Sequence, residues 1–214
     1  MKKSLLALAL LGSSAFAVTA ISAQDAPSVP GAVDPSRVAA GSYALDPSHT
    51  LVSWRVHHFG FNDYIGLFGD ITGTMQLDPA SVGAASFDIS IPIAQATVAS
   101  EGLRNHLFRA GKDGAAPDFF GPEPAPARFV STSVRQTGDT TAVVSGMLTM
   151  NGKTAPVTML VTFTGAGANP FNKKQTVGFD ARAVIDRRQW GITYGVPLVG
   201  EEVELQISAA FELQ

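Results

Sequence analysis

From Val52 to His58 the chain alternates without a break: Val52, Trp54, Val56 and His58 fall on one face, and Ser53, Arg55 and His57 on the other. Only an extended strand sends successive side chains to opposite sides, so this stretch is a strand with one apolar and one polar face. Gly60, Gly66, Gly69 and Gly73 follow it, at places where a helix would be weakened and a strand can turn, bend or bulge. Tyr43 to Asp78 therefore reads as strand, turn, strand in a curved sheet. Such a sheet can close on itself and enclose apolar space, so what matters next is what the other strands put inside.

The same period recurs along the chain. Phe87, Ile89, Ile91 and Ile93 alternate with Asp88, Ser90 and Pro92, and Pro92 suggests the end or the edge of that strand. Phe129 to Gln136 leads to a Gly138-Asp139 turn and a strand over Thr140 to Met150. Asn151-Gly152 then signals a hairpin, because both residues tolerate positive φ. Val157, Met159, Val161 and Phe163 alternate with Thr158, Leu160, Thr162 and Thr164. After a connection from Gly165 to Lys174, Phe179, Ala181, Ala183 and Ile185 alternate with Asp180, Arg182 and Asp186. The last strand turns Val203, Leu205, Ile207, Ala209 and Phe211 inward and Glu202, Glu204, Gln206 and Ser208 outward.

Roughly eight strands joined by turns make an all-β antiparallel barrel or sandwich. Strand length favours the barrel: a ten-residue strand spans ~33 Å, so an eight-stranded closure makes a deep cup with room for one slender ligand. The candidate cavity wall is the inward set Val52, Trp54, Val56, Phe87, Ile89, Ile91, Val157, Met159, Val161, Phe163, Phe179, Val203, Leu205 and Ile207.

The period changes once, between Ser100 and Arg109, where Leu103, Leu107 and His106 fall on one side of a short helix begun by Ser100. A long loop follows from Gly111 to Arg128 and carries the pair Phe119-Phe120. Loops of this length without regular structure are usually functional or mobile, and the two phenylalanines either pack the barrel end or form a lid over it. His58, Arg104, His106, Phe119 and Phe120 are the candidate mouth, where a ligand's head group would be met.

Residues 1–23 stand apart. Lys2 and Lys3 precede an apolar run from Leu5 to Leu11, and small residues follow, with Ala15-Phe16-Ala17 and Ser22-Ala23 as cleavage candidates. This is a secretory signal peptide pattern, too short in its apolar run for the ~20 residues that span a bilayer. Export to the periplasm or medium is the expectation, with no transmembrane segment after cleavage. Residues 24–41 are rich in Pro, Ala and Gly without periodicity and read as a flexible leader, which leaves residues 42–214 as one domain with no cysteine in it. The chain carries 18 acidic against 15 basic residues, which argues against a nucleic-acid or polybasic membrane footprint. Its hydrophobic content is 45% with only 15% charged residues, an apolar excess that suits a lined cavity.

No catalytic motif emerges. The chain lacks G-x-S-x-G, both glycine-rich nucleotide loops and cysteine. Adjacent His57 and His58 point to opposite faces, and no HxH or HExxH spacing is present, so no metal site and no catalytic residue is assigned. Asp46-Pro47-Ser48 before His49 reads as a turn, and Asp186-Arg187-Arg188 as a salt-bridge cluster at a strand end.

Taken together, His49-x-x-Val52-x-Trp54-x-Val56-x-His58-Phe59-Gly60, then Gly66-x-Phe68 and Gly73, resemble the H-x-x-V-x-F-x-V-x-H-x-G and G-x-F…G pattern of the YceI-like proteins. His106-Leu107, Asp118-Phe119-Phe120, Pro126-x-x-Phe129-x-Ser131, Gly146-x-Leu148-Thr149-x-Asn151-Gly152, Gly178-Phe179 and Gly200-x-x-Val203 look like that family's later motifs in order. The resemblance implies a lipocalin-like, exported, eight-stranded barrel with one short helix and a long loop near one end, binding a polyisoprenoid lipid. It implies no cofactor other than a bound isoprenoid lipid or quinone, and it leaves a homodimer open. Two departures fall beside the mouth: Gln95-Ala96-Thr97-Val98 and then Leu103-Arg104-Asn105-His106-Leu107 stand where the family often has Ser-x-x-Thr followed by Arg-Asp-x-His-Leu, and Gly111 to Ala116 is extra. Three readings follow: a carrier or storage barrel for a quinone or polyprenyl lipid, an enzyme acting on an amphiphile with His58 or His106 as base, and a filled structural or stress-related barrel.

Overall fold

The computed structural model describes residues 28–214; the signal peptide pattern of residues 1–23 and the start of the leader lie outside the described residues. Ten strands form one antiparallel sheet. They are β1 (Gly41–Leu45), β2 (Leu51–His58), β3 (Asn62–Phe68), β4 (Thr72–Leu77), β5 (Ser86–Ile91), β6 (Ala127–Gly138), β7 (Thr141–Met150), β8 (Lys153–Ala168), β9 (Gln175–Asp186) and β10 (Val199–Leu213). Helix α1 spans Glu101–Phe108 and is capped by Ser100, whose hydroxyl accepts from the Leu103 N–H.

The ten segments build eight staves. β1 and β2 lie end to end along β10, with Leu45 opposite Phe211 and Leu51 opposite Ser208. Between them the chain turns at Asp46, whose carboxylate accepts from the Ser48 N–H at 2.9 Å and meets His49 Nδ1 at 2.6 Å, as the Asp-Pro-Ser turn predicts. β4 runs beside β1 and β3 beside β2, so these two also form a single stave broken near Asp70, where φ is 51°. From β4 the ladder runs through β5, β6, β7, β8 and β9 to β10, and the pairing of β1 with β10 closes an eight-stranded antiparallel barrel. The expected turn at Asn151-Gly152 is present, with φ of 48° and 70°.

The two ends of the barrel differ. At one, Tyr43, Ile71, Met75 and Val177 are almost fully buried and pack with Phe163, Ala166 and Phe211 into a plug of side chains. At the other, β3 pairs along its length only with β2. Its free edge meets the chain at one bridge, where Leu67 and Thr97 exchange hydrogen bonds of 2.9 and 2.8 Å. There α1 lays Leu103 and Leu107 against Trp54, Val56, Tyr64 and Phe68. The barrel is therefore plugged by core side chains at one end and partly covered by a helix and loop at the other.

The described part of the leader touches the barrel at three points. Ala32 exchanges backbone hydrogen bonds with Ala166 at 3.1 and 2.9 Å, Arg37 O accepts from Gln175, and Ala39 O accepts from the Tyr43 hydroxyl at 2.6 Å. The Gly/Asn/Pro/Lys connection is correspondingly shorter than expected, because β8 continues through Gly165 and Gly167 to Ala168. A Cβ on Gly167 would collide with the Pro30 carbonyl, so a glycine there is what lets the leader backbone lie against the strand.

Candidate functional site

The barrel encloses two spaces in line. A front chamber of about 810 Å³ lies at the helix end, bounded by Trp54, Val56 and His58 of β2, Tyr64 and Phe68 of β3, and Leu103, His106 and Leu107 of α1. Phe119 and Phe120 close one side, and Arg187, Ile192, Tyr194 and Val203 another. Behind it a smaller space of about 130 Å³ is lined by Val52, Phe87, Ile89, Ile91, Val157, Met159, Val161, Phe179 and Ile207 among others. Leu205 lines both. An apolar hollow with few polar groups at one end is what an elongated amphiphile needs, and the front chamber alone is within the size range of small-molecule pockets.

Two residues assigned to the site from sequence lie elsewhere. Phe163 is buried in the plug, with its ring 5.9 Å from Phe179, because alternation reports which face a residue takes but not how deep along the barrel it sits. Arg104 is not at the mouth: its Nη1 donates to Ala96 O at 2.5 Å and its guanidinium lies 5.2 Å from the Phe108 ring centroid, so it holds α1 to the preceding segment. The other assigned residues line one space or the other.

On β3, Gly66 lies directly under the indole of Trp54, and a Cβ at that position would overlap the ring. This glycine lets Trp54 lie flat across the neighbouring strand and form part of the chamber wall. His58 stacks edge-on to Tyr64 at 4.6 Å. His106 Nε2 hydrogen-bonds Asp118 Oδ2 at 2.9 Å, and the same oxygen accepts from Arg109 Nη2 at 2.6 Å. The His106 ring meets Phe119 at 5.0 Å and Tyr194 at 4.7 Å, both edge-on. The loop is strapped to α1 through Leu107 O, which accepts from the N–H groups of Phe120 and Gly121 at 3.0 and 3.3 Å.

Arg109, and after it His106, hold the Asp118 carboxyl below its ordinary value by hydrogen bonding to it. A carboxyl depressed on folding binds protons more readily in the unfolded chain, so its contribution is present above the unfolded value near ~3.9 and is lost as pH falls through the folded one. Asp118→Asn is therefore expected to lower the urea midpoint at pH 7 and to match the unaltered protein only once pH has fallen below the depressed folded value. An equal gap above and below that value would show that the carboxylate is not the source.

One site residue was not foreseen. Of the Asp186-Arg187-Arg188 cluster, only Arg188 pairs with Asp186, at 2.7 Å. Arg187 turns inward, is 4% exposed and faces the front chamber. Nothing in the local sequence distinguishes the two arginines except position: Arg187 follows the inward Ile185 by two residues.

A family model for the YceI-like domain matches residues 43–211. The chain is 37% identical over 172 residues to a UPF0312 protein of Pseudomonas putida strain F1, covering 79% of this chain and 85% of that protein. Among solved structures it superposes on Burkholderia cenocepacia BcnA with a TM-score of 0.62 at 24% identity, covering 78% of this chain and 98% of the other. It also superposes on a domain from Saccharophagus degradans described as polyisoprenoid-binding and implicated in plant cell wall breakdown, with a TM-score of 0.53 at 10% identity over 80% of this chain and 98% of that one. Closed barrel, sealed end and matched sequence agree: the chain belongs to the YceI-like family.

Proposed function

We propose that the protein is an exported carrier or storage barrel that holds a long isoprenoid lipid, of quinone or polyprenyl type, with its head at the helix end of the front chamber and its tail running through that chamber into the smaller inner space. The observation that carries this reading is the pair of aligned hollows, the inner one walled almost wholly by aliphatic and aromatic side chains. Each buried CH₂ contributes up to ~0.8 kcal/mol, so several isoprene units are held without a strong polar contact even after the costs of association. The polyisoprenoid-binding description of the Saccharophagus degradans domain, which shares the fold, supports the same ligand class. Export is supported by the pattern in residues 1–23.

Native mass spectrometry of the protein purified from its source tests the carrier reading. A co-purified mass of isoprenoid size is expected; a bare polypeptide that also takes up no added lipid would leave a filled structural barrel instead. Phe119 and Phe120 pack against the core and also bound the chamber. In a fluorescent-lipid exchange assay the variant Phe119→Ala with Phe120→Ala is expected to exchange about tenfold faster, a gain worth ~1.4 kcal/mol at the barrier. Exchange unchanged once stability is matched would make them packing residues alone.

A further inference from the structure

The edge where the front chamber meets solvent is built from two stretches of chain. Residues 58–62 turn from β2 into β3, residues 189–200 lead from β9 into β10, and neither stretch contains Asp, Glu, Lys or Arg. The Phe59 N–H donates to Leu198 O at 2.7 Å, which joins the two into one lip. Buried Arg187 fixes the second stretch: Nη1 donates to Ile192 O at 3.1 Å, Nη2 to Tyr194 O and Val199 O at 2.9 Å each, and Nε to Gly200 O at 2.7 Å. Phe59, Tyr194 and Leu198 line the chamber yet are 49%, 45% and 65% exposed, so the chamber opens here. Phe61 stands beyond them at 89% exposed. Among the described residues, Phe59, Phe61 and Leu198 join none of the hydrophobic clusters.

This exposure is built in. Phe59 has φ of 55° and Gly60 of 72°, and His58 O accepts from the Phe61 N–H at 3.1 Å. The central positions of such a turn favour Asn and Gly, and a bulky side chain in the left-handed region costs free energy. The Phe59 ring rests on His58 at 4.0 Å and on the opening, not in the core. Other exposed apolar side chains are interspersed with charge. On the outer wall Leu160 lies opposite Arg182 and Val184 opposite Glu204, and Phe171 shares its loop with Lys173 and Lys174. The charges nearest the lip on β2 and β3 neutralise one another, Asp63 lying 2.7 Å from His57 and 3.6 Å from Arg55. Across the opening, α1 presents Ser100 and Gly102 with the exposed Glu101 between them. Such a face offers no cation to an anionic surface, but it does offer aromatic and aliphatic area to the interface of a bilayer. It also coincides with the exit of a chamber whose cargo is insoluble in water.

We propose that the lip docks on a phospholipid bilayer, with Phe61 and Leu198 entering the interface and Tyr194 at its polar level, so that cargo passes between membrane and barrel without crossing water. This rests on the carrier reading and adds where the exchange takes place.

Flotation of the full chain with phosphatidylcholine vesicles tests the docking at ~0.1 M and ~1 M salt, between which the Debye length falls from ~10 to ~3 Å. The protein is expected to float at both, and an added anionic lipid should change the bound fraction by less than about twofold. Phe61→Ser, which alters no chamber-lining side chain, should partition about tenfold more weakly. It should also slow lipid transfer between vesicles while leaving retention of lipid loaded from detergent unchanged. Phe171→Ser, at the plugged end, should alter neither. Failure to float overturns the inference and makes a protein receptor the occupant of the lip. Equal flotation of Phe61→Ser and the unaltered protein also overturns it, as does binding that needs anionic lipid and is lost at high salt. Lipid retention without flotation leaves the carrier reading standing alone, whereas flotation without retention sinks the carrier reading and supports the docking.

Discussion

Ile207→Glu is expected to abolish lipid retention. Ile207 lies opposite Val52 on β2 and Ala181 on β9, and its side chain lines the inner space. Among the described residues lining it the one hydroxyl side chain is Thr50, which accepts from the Ala210 N–H at 3.2 Å and has a single proton to give. A carboxylate placed among these groups has at most that one neutral donor to meet it, and desolvating an ionised group with so little compensation costs several kcal/mol. The introduced carboxyl would respond by staying protonated, with its pKa raised by burial. The sign follows: the loss of stability relative to the unaltered protein is largest above the raised folded value and shrinks as pH falls toward the ordinary carboxyl value. Glu204→Gln, on the exposed face three residues earlier, is the control and should change neither binding nor melting temperature. Equal tolerance of the two in a lipid-extraction assay would contradict the facing of β10.

Trp190→Ala is expected to cause the largest loss of stability, ~3–5 kcal/mol, as for other buried aromatic truncations. Trp190 is 1% exposed in the cluster with Leu148, Met150 and Ile192, and its indole N–H donates to Leu148 O at 2.9 Å. It ends the 3-10 turn Arg187–Trp190, in the middle of the segment that presents Arg187, Ile192 and Tyr194 to the chamber, so its removal should weaken binding as well as folding. Trp190→Phe separates the two contributions: most of the packing remains and the hydrogen bond to the Leu148 carbonyl is lost, at a cost of ~0.5–1.5 kcal/mol. Urea denaturation of both variants measures this, and a loss below ~1 kcal/mol for Trp190→Ala would mean the site collapses around the vacancy more fully than a close-packed core allows.

The strands were legible because a period of two has a direct physical cause, the alternation of Cβ directions, and residues such as Trp54, Met159 and Leu205 lie inside as that period requires. The helix was legible through the Ser100 cap and the change of period. Depth along the barrel was not, which is why Phe163 was placed with the cavity wall when it belongs to the plug. The docking of Ala32 and Arg37 was also hidden, because it rests on backbone hydrogen bonds to Ala166 and Gln175 that no side-chain pattern announces. Arg187 and Arg188 are adjacent and chemically identical, and only the chain's turn after β9 sends one inward and the other to Asp186.

The closing seam has a consequence for the order of events in time. β10 is the last strand in the sequence, yet it pairs with β9, β2 and β1, and Tyr43 lies opposite Leu213. No partial product of synthesis can close the ring, because the stave that joins first to last emerges at the end. Pairings of such high sequence separation are slow to form. Until they do, β9 and the β1–β2 stave present open edges, which are templates for association with other chains. A truncation that removes only the final strand would therefore leave most residues of the barrel in hand and yield a sticky, open sheet in place of a vessel.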